Sequence, residues 1–549
     1  MTDSTSTAPG SHDAHTAPEW WRRGAIYQVY PRSFADADGD GTGDVEGIRR
    51  RLPYLRDLGV DAIWISPWYR SPLNDGGYDV ADYRDIDPRF GTLDDAERLL
   101  ADAREHDIRV IVDLVPNHTS SEHRWFREAL AAAPGSAARA RYHFVEGSGP
   151  DGSEPPNNWL SVFGGPAWSR VADGQWYLHL FDPTQPDLNW DNEEVRAEFD
   201  DIFRFWLERG VDGFRIDVAH GMAKNTTFPD LAEGAKILES TFIDDHPHWD
   251  RDGVHEIIRR WRAILDDAGR DVMMVAEAWV HPDRLGLYLR PDEYHQSFNF
   301  DFLTAPWEAS AVADAIDRAL GAAQSVGSTP TWTLSNHDVM RHATRLGLPG
   351  DTNWREWPLA GPVDLLDADL GLRRARAAAL LLMALPGSVY LYQGEELGLP
   401  DVWDLPPEVL DDPVWENSGH RHKGRDGCRV PVPWSTSGPS FGFGDAAPWL
   451  PQPEIYGELS VEAQTGVDGS TLELYRAALE LRDRHFRADE SFEWVRRDGD
   501  VIEFRRGSGA RCVVNLGASS APLPDGDVLI ASTPLDDGVL PGDSTVWFA

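Results

Sequence analysis

The run Gly213-Phe214-Arg215-Ile216-Asp217-Val218 decides how this chain reads. It is an apolar strand that ends on a carboxylate, with an arginine two positions earlier. Strand side chains alternate between faces, so Arg215 and Asp217 project to the same side. A guanidinium beside a carboxylate lowers that carboxylate's pKa, so the pair predicts an ionised Asp217, ready as a nucleophile at neutral pH. Two more runs end in the same way, Val275-Ala276-Glu277-Ala278 and Thr333-Leu334-Ser335-Asn336-His337-Asp338. Asp217, Glu277 and Asp338 at three strand ends predict one carboxylate-lined pocket.

Around these runs the chain alternates between two patterns. Short apolar or β-branched stretches at 25–30, 62–66, 109–113, 213–217, 273–277, 297–301, 331–335 and 388–392 read as strands. Amphipathic stretches at 45–58, 93–105, 192–208, 255–267, 311–323 and 372–384 read as helices. The alternation predicts an α/β fold, a (β/α)₈ TIM barrel, whose chemistry sits at the strand C-termini. Three connections are too long for turns, at 117–185, 218–254 and 394–466, and all overhang that same face. The first is long enough to be an inserted domain after strand 3. A helix at 471–484 leads into short alternating strands with Gly/Asp/Pro turns over 492–549, which reads as a C-terminal antiparallel β-sandwich domain. The expected organisation is a disordered tail at 1–18, a catalytic barrel at 19–116 and 186–485, an inserted domain at 117–185 and a β domain at 486–549.

Charge narrows the partners. Lys+Arg of 51 against Asp+Glu of 92 gives a net charge of −41, which repels phosphate backbones and anionic membranes. Nucleic acid and membrane are therefore excluded as partners, and a small molecule is expected. The lysines are Lys224, Lys236 and Lys423, so the surface is acidic and arginine-biased, a composition that fits salt adaptation or a GC-rich genome. Cys428 and Cys512 form neither a disulfide framework nor a metal cluster, which fits a reducing cytoplasm. Residues 1–18 have no basic start and no apolar core, so they are not a secretory signal. No stretch approaches the roughly twenty apolar residues that span a bilayer.

Two carboxylates across a scissile bond are what glycoside hydrolysis needs, one to attack carbon and one to protonate the leaving oxygen. Asp217 suits the nucleophile. Glu277 follows the apolar run Met273-Met274-Val275-Ala276, surroundings expected to raise its pKa and favour the protonated acid. Asp338, preceded by His337, supplies a third carboxylate and a pair able to hydrogen-bond sugar hydroxyls. A second signal is Asp36-Ala37-Asp38-Gly39-Asp40-Gly41-Thr42-Gly43-Asp44, whose alternating carboxylates and glycines suit oxygen coordination of Ca²⁺. Gly47 stands where an EF-hand requires its bidentate glutamate, so this is not an EF-hand.

Asp113-Leu114-Val115-Pro116-Asn117-His118, the Gly213–Val218 run, Glu277 in V-A-E-A-W and Ser335-Asn336-His337-Asp338 resemble the signature regions of the α-amylase superfamily. Gln185-Pro186-Asp187-Leu188-Asn189 resembles its α-glucosidase and oligo-1,6-glucosidase branch. The resemblance covers 20–549. It implies the same barrel, inserted domain and C-terminal β domain, with Asp217 as nucleophile, Glu277 as general acid/base and Asp338 as the carboxylate that helps distort the sugar. It implies that His118 and His337 hold glucosyl hydroxyls and that Arg215 orients the nucleophile. Tyr78 would stack on the terminal glucose, Asp75 with Arg429 would bind its far hydroxyls, and Phe163 and Phe181 would line the pocket. The matching metal loop implies a structural Ca²⁺, with Mg²⁺ as an alternative, on Asp36, Asp38, Asp40, Asp44 and the Thr42 carbonyl. The activity implied is that of an exo-acting retaining α-glucosidase on short α-glucosides. Val218 accompanies α-1,6 cleavage in this branch, whereas Ala219-His220-Gly221 departs from the oligo-1,6-glucosidase pattern. The same scaffold also carries transglycosylation, trehalose synthesis and sucrose isomerisation, and a non-catalytic sugar-binding relative is opposed by the three acids.

Overall fold

A computed structural model describes residues 19–231, 246–350, 352–353, 365–536 and 538–549. The expected tail at 1–18 and part of the long connection at 218–254 lie outside these. Eight parallel strands form the central sheet: β1 (Ala25–Val29), β2 (Ala62–Ile65), β3 (Arg109–Leu114), β4 (Gly213–Ile216), β5 (Met273–Ala276), β6 (Gln296–Ser297), β7 (Thr331–Thr333) and β8 (Ser388–Tyr392). Their order, β6-β5-β4-β3-β2-β1-β8-β7, is that of a (β/α)₈ barrel. Between β6 and β7 the Thr331 hydroxyl donates to the Ser297 carbonyl at 2.7 Å. Ile216 is the last residue of β4 and Ala276 the last of β5, and the two are paired. Asp217 and Glu277 are thus neighbours, each one residue past its strand.

Two sequence expectations are corrected. The stretch 45–58 is not one helix but two, Val45–Arg50 and Leu52–Leu58, because Pro53 lacks an N–H and its ring clashes with the carbonyl four residues back. The stretch 297–301 contributes only Ser297 to β6. Asn299 ends the strand by accepting the Phe302 N–H at 3.2 Å, and a helix, Phe300–Thr304, begins there.

The segment after β3 carries a helix (Arg124–Ala131) and a three-stranded antiparallel sheet of Phe144–Glu146, Gln175–Leu178 and Trp168–Arg170. Trp159, Trp168, Leu178 and Leu180 give it a local core, with Phe181 and Phe228 packed against it. After the helix Thr471–His485 the chain forms a five-stranded antiparallel sheet from Glu493–Asp498, Val501–Arg505, Arg511–Asn515, Ser544–Phe548 and Val528–Ala531. Its alternation is strict: Val501, Val513, Val546 and Phe548 form one cluster, whereas Ile502, Cys512, Val514 and Trp547 join the barrel core. Among the described residues no helix is long and apolar enough to cross a membrane.

Arg482 fastens the end of that last helix to the barrel. Its buried guanidinium donates to the carbonyls of Met383 (2.9 Å), Leu385 (3.4 Å) and Gly387 (2.6 Å) in the turn into β8, and to that of Arg23 (3.2 Å) at the entry to β1. An Arg482→Met variant leaves these carbonyls without their donor. It is expected to lose about 2–4 kcal/mol of stability, read as a lower urea midpoint at unchanged slope.

Candidate active site

The strand ends enclose a cavity of about 380 Å³ lined by Asp75, Tyr78, His118, Phe163, Phe181, Asp217, Glu277, Asp338 and Arg425, together with Val218, His220, Trp249, Trp279 and Asn336. Arg215, His337 and Arg429 are not in its lining but contact residues that are. Asp217, Glu277 and Asp338, expected from separate strands, open onto this one cavity.

Arg215 sits at the centre. Its side chain is 2% exposed, and its guanidinium meets Asp113 at 3.0 Å, Asp217 at 2.6 Å and Glu277 at 3.3 Å. The register explains this: Arg215 pairs with Asp113 on β3 and Val275 on β5, and Asp217 and Glu277 follow one layer above. The expectation that Arg215 dominates the Asp217 charge is corrected. Burial is the largest influence and pushes the Asp217 carboxyl above its usual range; Arg215 opposes it, while Glu277, Asp113 and Asp338 push it further up. Burial likewise raises Asp113 to about 7.

The surroundings expected for Glu277 also differ. Its carboxylate does not sit among the strand's apolar side chains but accepts the Val218 N–H on Oε2 at 2.8 Å and the Trp279 indole N–H on Oε1 at 2.9 Å. Val218 reaches it through an unusual backbone, with φ +46° at a β-branched residue. Asp338 bonds Arg425 at 2.9 Å and Arg429 at 3.1 Å, and the His337 Nε2 lies 3.1 Å from its carboxylate. Burial would raise its carboxyl, but the His337 ring and the Arg425, Arg429 and Arg215 guanidiniums hold it below the usual range. His337 is itself pushed down to about 3 by burial, and stacks on Tyr78 with centroids 5.0 Å apart.

The expected Asp75–Arg429 pair is replaced. Arg425 contacts Asp75 at 2.6 Å, Asp338 and Asp412, whereas Arg429 donates to the His337 carbonyl and to Asp338. Gly424, with φ +71°, and the turn Asp426–Cys428 set the two arginines apart, and Arg425 alone reaches the cavity lining. Gln185, the first residue of the Gln185–Asn189 run, donates its amide to Asp75 at 3.0 Å and contacts His118 at 3.1 Å. Trp279 was likewise visible in V-A-E-A-W. Burial lowers the pKa of His118, which packs on Phe181 at 5.1 Å. Phe181 meets Phe163 at 5.7 Å, and Arg425 lies over the Phe163 ring.

In the acidic loop the carboxylates of Asp36, Asp38 and Asp40 approach within 4.8 Å of one another. Asp44 is not grouped with them: it caps the helix Val45–Arg50 by accepting the Gly47 N–H at 2.6 Å, and it also accepts from Ala37 and Asp38. Three converging carboxylates on a turn form a donor set that fits a hard divalent cation.

A family model described as the alpha amylase catalytic domain matches residues 28–489, and a model of a domain of unknown function matches 490–547. The chain is 38% identical over 525 residues to a probable alpha-glucosidase of Rhizobium meliloti, covering 92% of this chain and 90% of that protein. It is 35% identical to an oligo-1,6-glucosidase of Heyndrickxia coagulans over 84% of this chain and 85% of the other. The solved structure of an alpha-glucosyl transfer enzyme superposes with a TM-score of 0.83 at 34% identity, covering 97% of this chain and 99% of the other.

Arg425→Met removes a counter-ion that Asp75, Asp338 and Asp412 share. The Asp338 carboxyl must then rise from below its usual range, and its titration, followed by NMR in the ligand-free protein, is expected about one pH unit or more higher than with Arg425 in place. An unmoved Asp338 titration would contradict this role for Arg425.

Proposed function

The chain belongs to the alpha-amylase family, in its α-glucosidase and oligo-1,6-glucosidase branch, and from that premise we propose that it is an exo-acting retaining α-glucosidase releasing α-glucose from the non-reducing end of short α-glucosides. The observation that carries this reading is the sharing of one buried guanidinium by Asp217 and Glu277 at adjacent strand ends. Retaining enzymes keep their two carboxyl groups only about 5–5.5 Å apart, which such sharing supports. Asp217 attacks the anomeric carbon as Glu277 gives its proton to the departing oxygen, so one C–O bond forms and one breaks. Glu277 then takes a proton from the water that attacks the same carbon, Asp217 leaves, and configuration is retained. The sugar gains positive charge in between, and Asp217 and Asp338 face it.

The Asp75–Arg425 ion pair, with both members in the cavity lining, supports exo-action, because a sugar chain extending past the terminal residue at that wall would have to break it. Arg425 already serves three carboxylates, which favours neutral glucosides over phosphorylated ones. Maltose-type substrates are the first reading and isomaltose-type the second, the latter favoured by Val218. Similarity to a glucosyl transfer enzyme supports acceptor sugars competing with water for the glucosyl-Asp217 intermediate.

A panel of maltose, isomaltose and sucrose, assayed for free glucose with the first-formed anomer read by NMR, tests the reading. The α-anomer is expected first. Asp217→Asn should lose about 10⁴-fold or more of kcat. A β-anomer, or an active Asp217→Asn variant, overturns the assignment.

We also propose a structural Ca²⁺, or Mg²⁺, on Asp36, Asp38 and Asp40, where it would neutralise the loop and take no part in the chemistry. Chelation is expected to lower the melting temperature, and Ca²⁺ at about a hundredfold over its Kd should restore about 2.7 kcal/mol. The effect should vanish in Asp38→Asn.

A further inference from the structure

Glu277 has an asymmetric set of donors. Oε2 receives the Val218 N–H at 2.8 Å and lies 3.3 Å from Arg215, whereas among the described residues Oε1 receives one donor, the Trp279 indole N–H at 2.9 Å. An oxygen facing two donors has little room for a proton, while one with a single donor keeps a lone pair for it. Trp279 is in turn fixed by Phe300, whose ring lies parallel to the indole at 3° with centroids 3.8 Å apart. Phe300 is buried and opens the helix that follows β6. The next strand-to-helix connection therefore holds the indole, and the indole holds the acid.

We propose that Trp279 is a positioning residue for the acid/base: its N–H fixes the Glu277 carboxyl so that Oε1 carries the transferable proton and meets the glycosidic oxygen. This rests on the reading of Glu277 as acid/base. The proton passes from Oε1 to the leaving oxygen as the bond to the anomeric carbon breaks, and returns to Oε1 from the incoming water. Trp279 exchanges no proton. As a mere wall of the cavity, it would affect all substrates alike.

The two roles separate by leaving group. A 2,4-dinitrophenyl α-glucoside departs without protonation, whereas maltose needs the acid. Trp279→Phe keeps the ring against Phe300 and removes the N–H. Its kcat/KM on maltose is expected to fall about ten- to a hundredfold, against less than about threefold on the dinitrophenyl glucoside. A burst of dinitrophenol should appear, because the second step still needs Glu277 as base. Phe300→Leu, which keeps Trp279 but loosens the stack, should show the same bias at smaller size and serves if Trp279→Phe does not fold. Equal losses on both substrates in these variants overturn the proposal. Glu277→Gln, measured alongside, should show the steepest bias; if it shows none, the assignment of Glu277 itself fails, and the role of Trp279 with it.

Discussion

The Arg215 guanidinium is the interaction on which the rest of the site depends. It is nearly sealed from solvent, and three carboxylates meet it there. A buried charge is tolerated only when paired and hydrogen-bonded, and that holds for each member of this group. Removing the arginine would leave three carboxylates without the partner they share. The Trp64 and Tyr78 rings lie 5.1 and 5.5 Å from the guanidinium, and both also donate to Asp113, so the aromatic frame and the ionic cluster are one unit. The register of β3, β4 and β5 is thus fixed by charge as well as by packing.

The cluster carries more negative than positive charge. Asp113, Asp217 and Glu277 meet a single central arginine, while Arg425 and Arg429 hold Asp338. An excess of carboxylates is costly at rest: burial raises Asp113, and burial together with repulsion from Glu277, Asp113 and Asp338 raises Asp217. A sugar ring that becomes cationic relieves that excess, so the resting cost lowers the barrier of the proposed reaction. The arginines at Asp338 keep that carboxylate ionised for the same moment.

Much of this was legible in the chain because period-two alternation and chain order are local properties. The strands, the acid at each strand end and the C-terminal sheet follow from them. What was not legible is set by groups distant in sequence. Met273-Met274-Val275-Ala276 describes the strand that carries Glu277 but not the carboxyl group, whose neighbours are an amide and an indole. R-D-G-C-R offers two arginines, and a single turn of backbone decides which one reaches Asp75. S-F-N-F-D alternates like a strand, yet the Asn299 side chain caps a helix there. The positive φ of Val218 has no signature at all in a β-branched residue.

That twisted backbone has a consequence for how the site withstands motion. Asp217 and Val218 share a peptide bond, and the N–H of that same bond holds Glu277. The spacing of nucleophile and acid is therefore measured off by one rigid amide as well as by the strand ladder, in which the Glu277 N–H donates to the Ile216 carbonyl at 2.9 Å. A shift of β4 relative to β5 would carry the Val218 amide, and the carboxylate it holds, along with Asp217. The strain at Val218 is the cost of a built-in ruler.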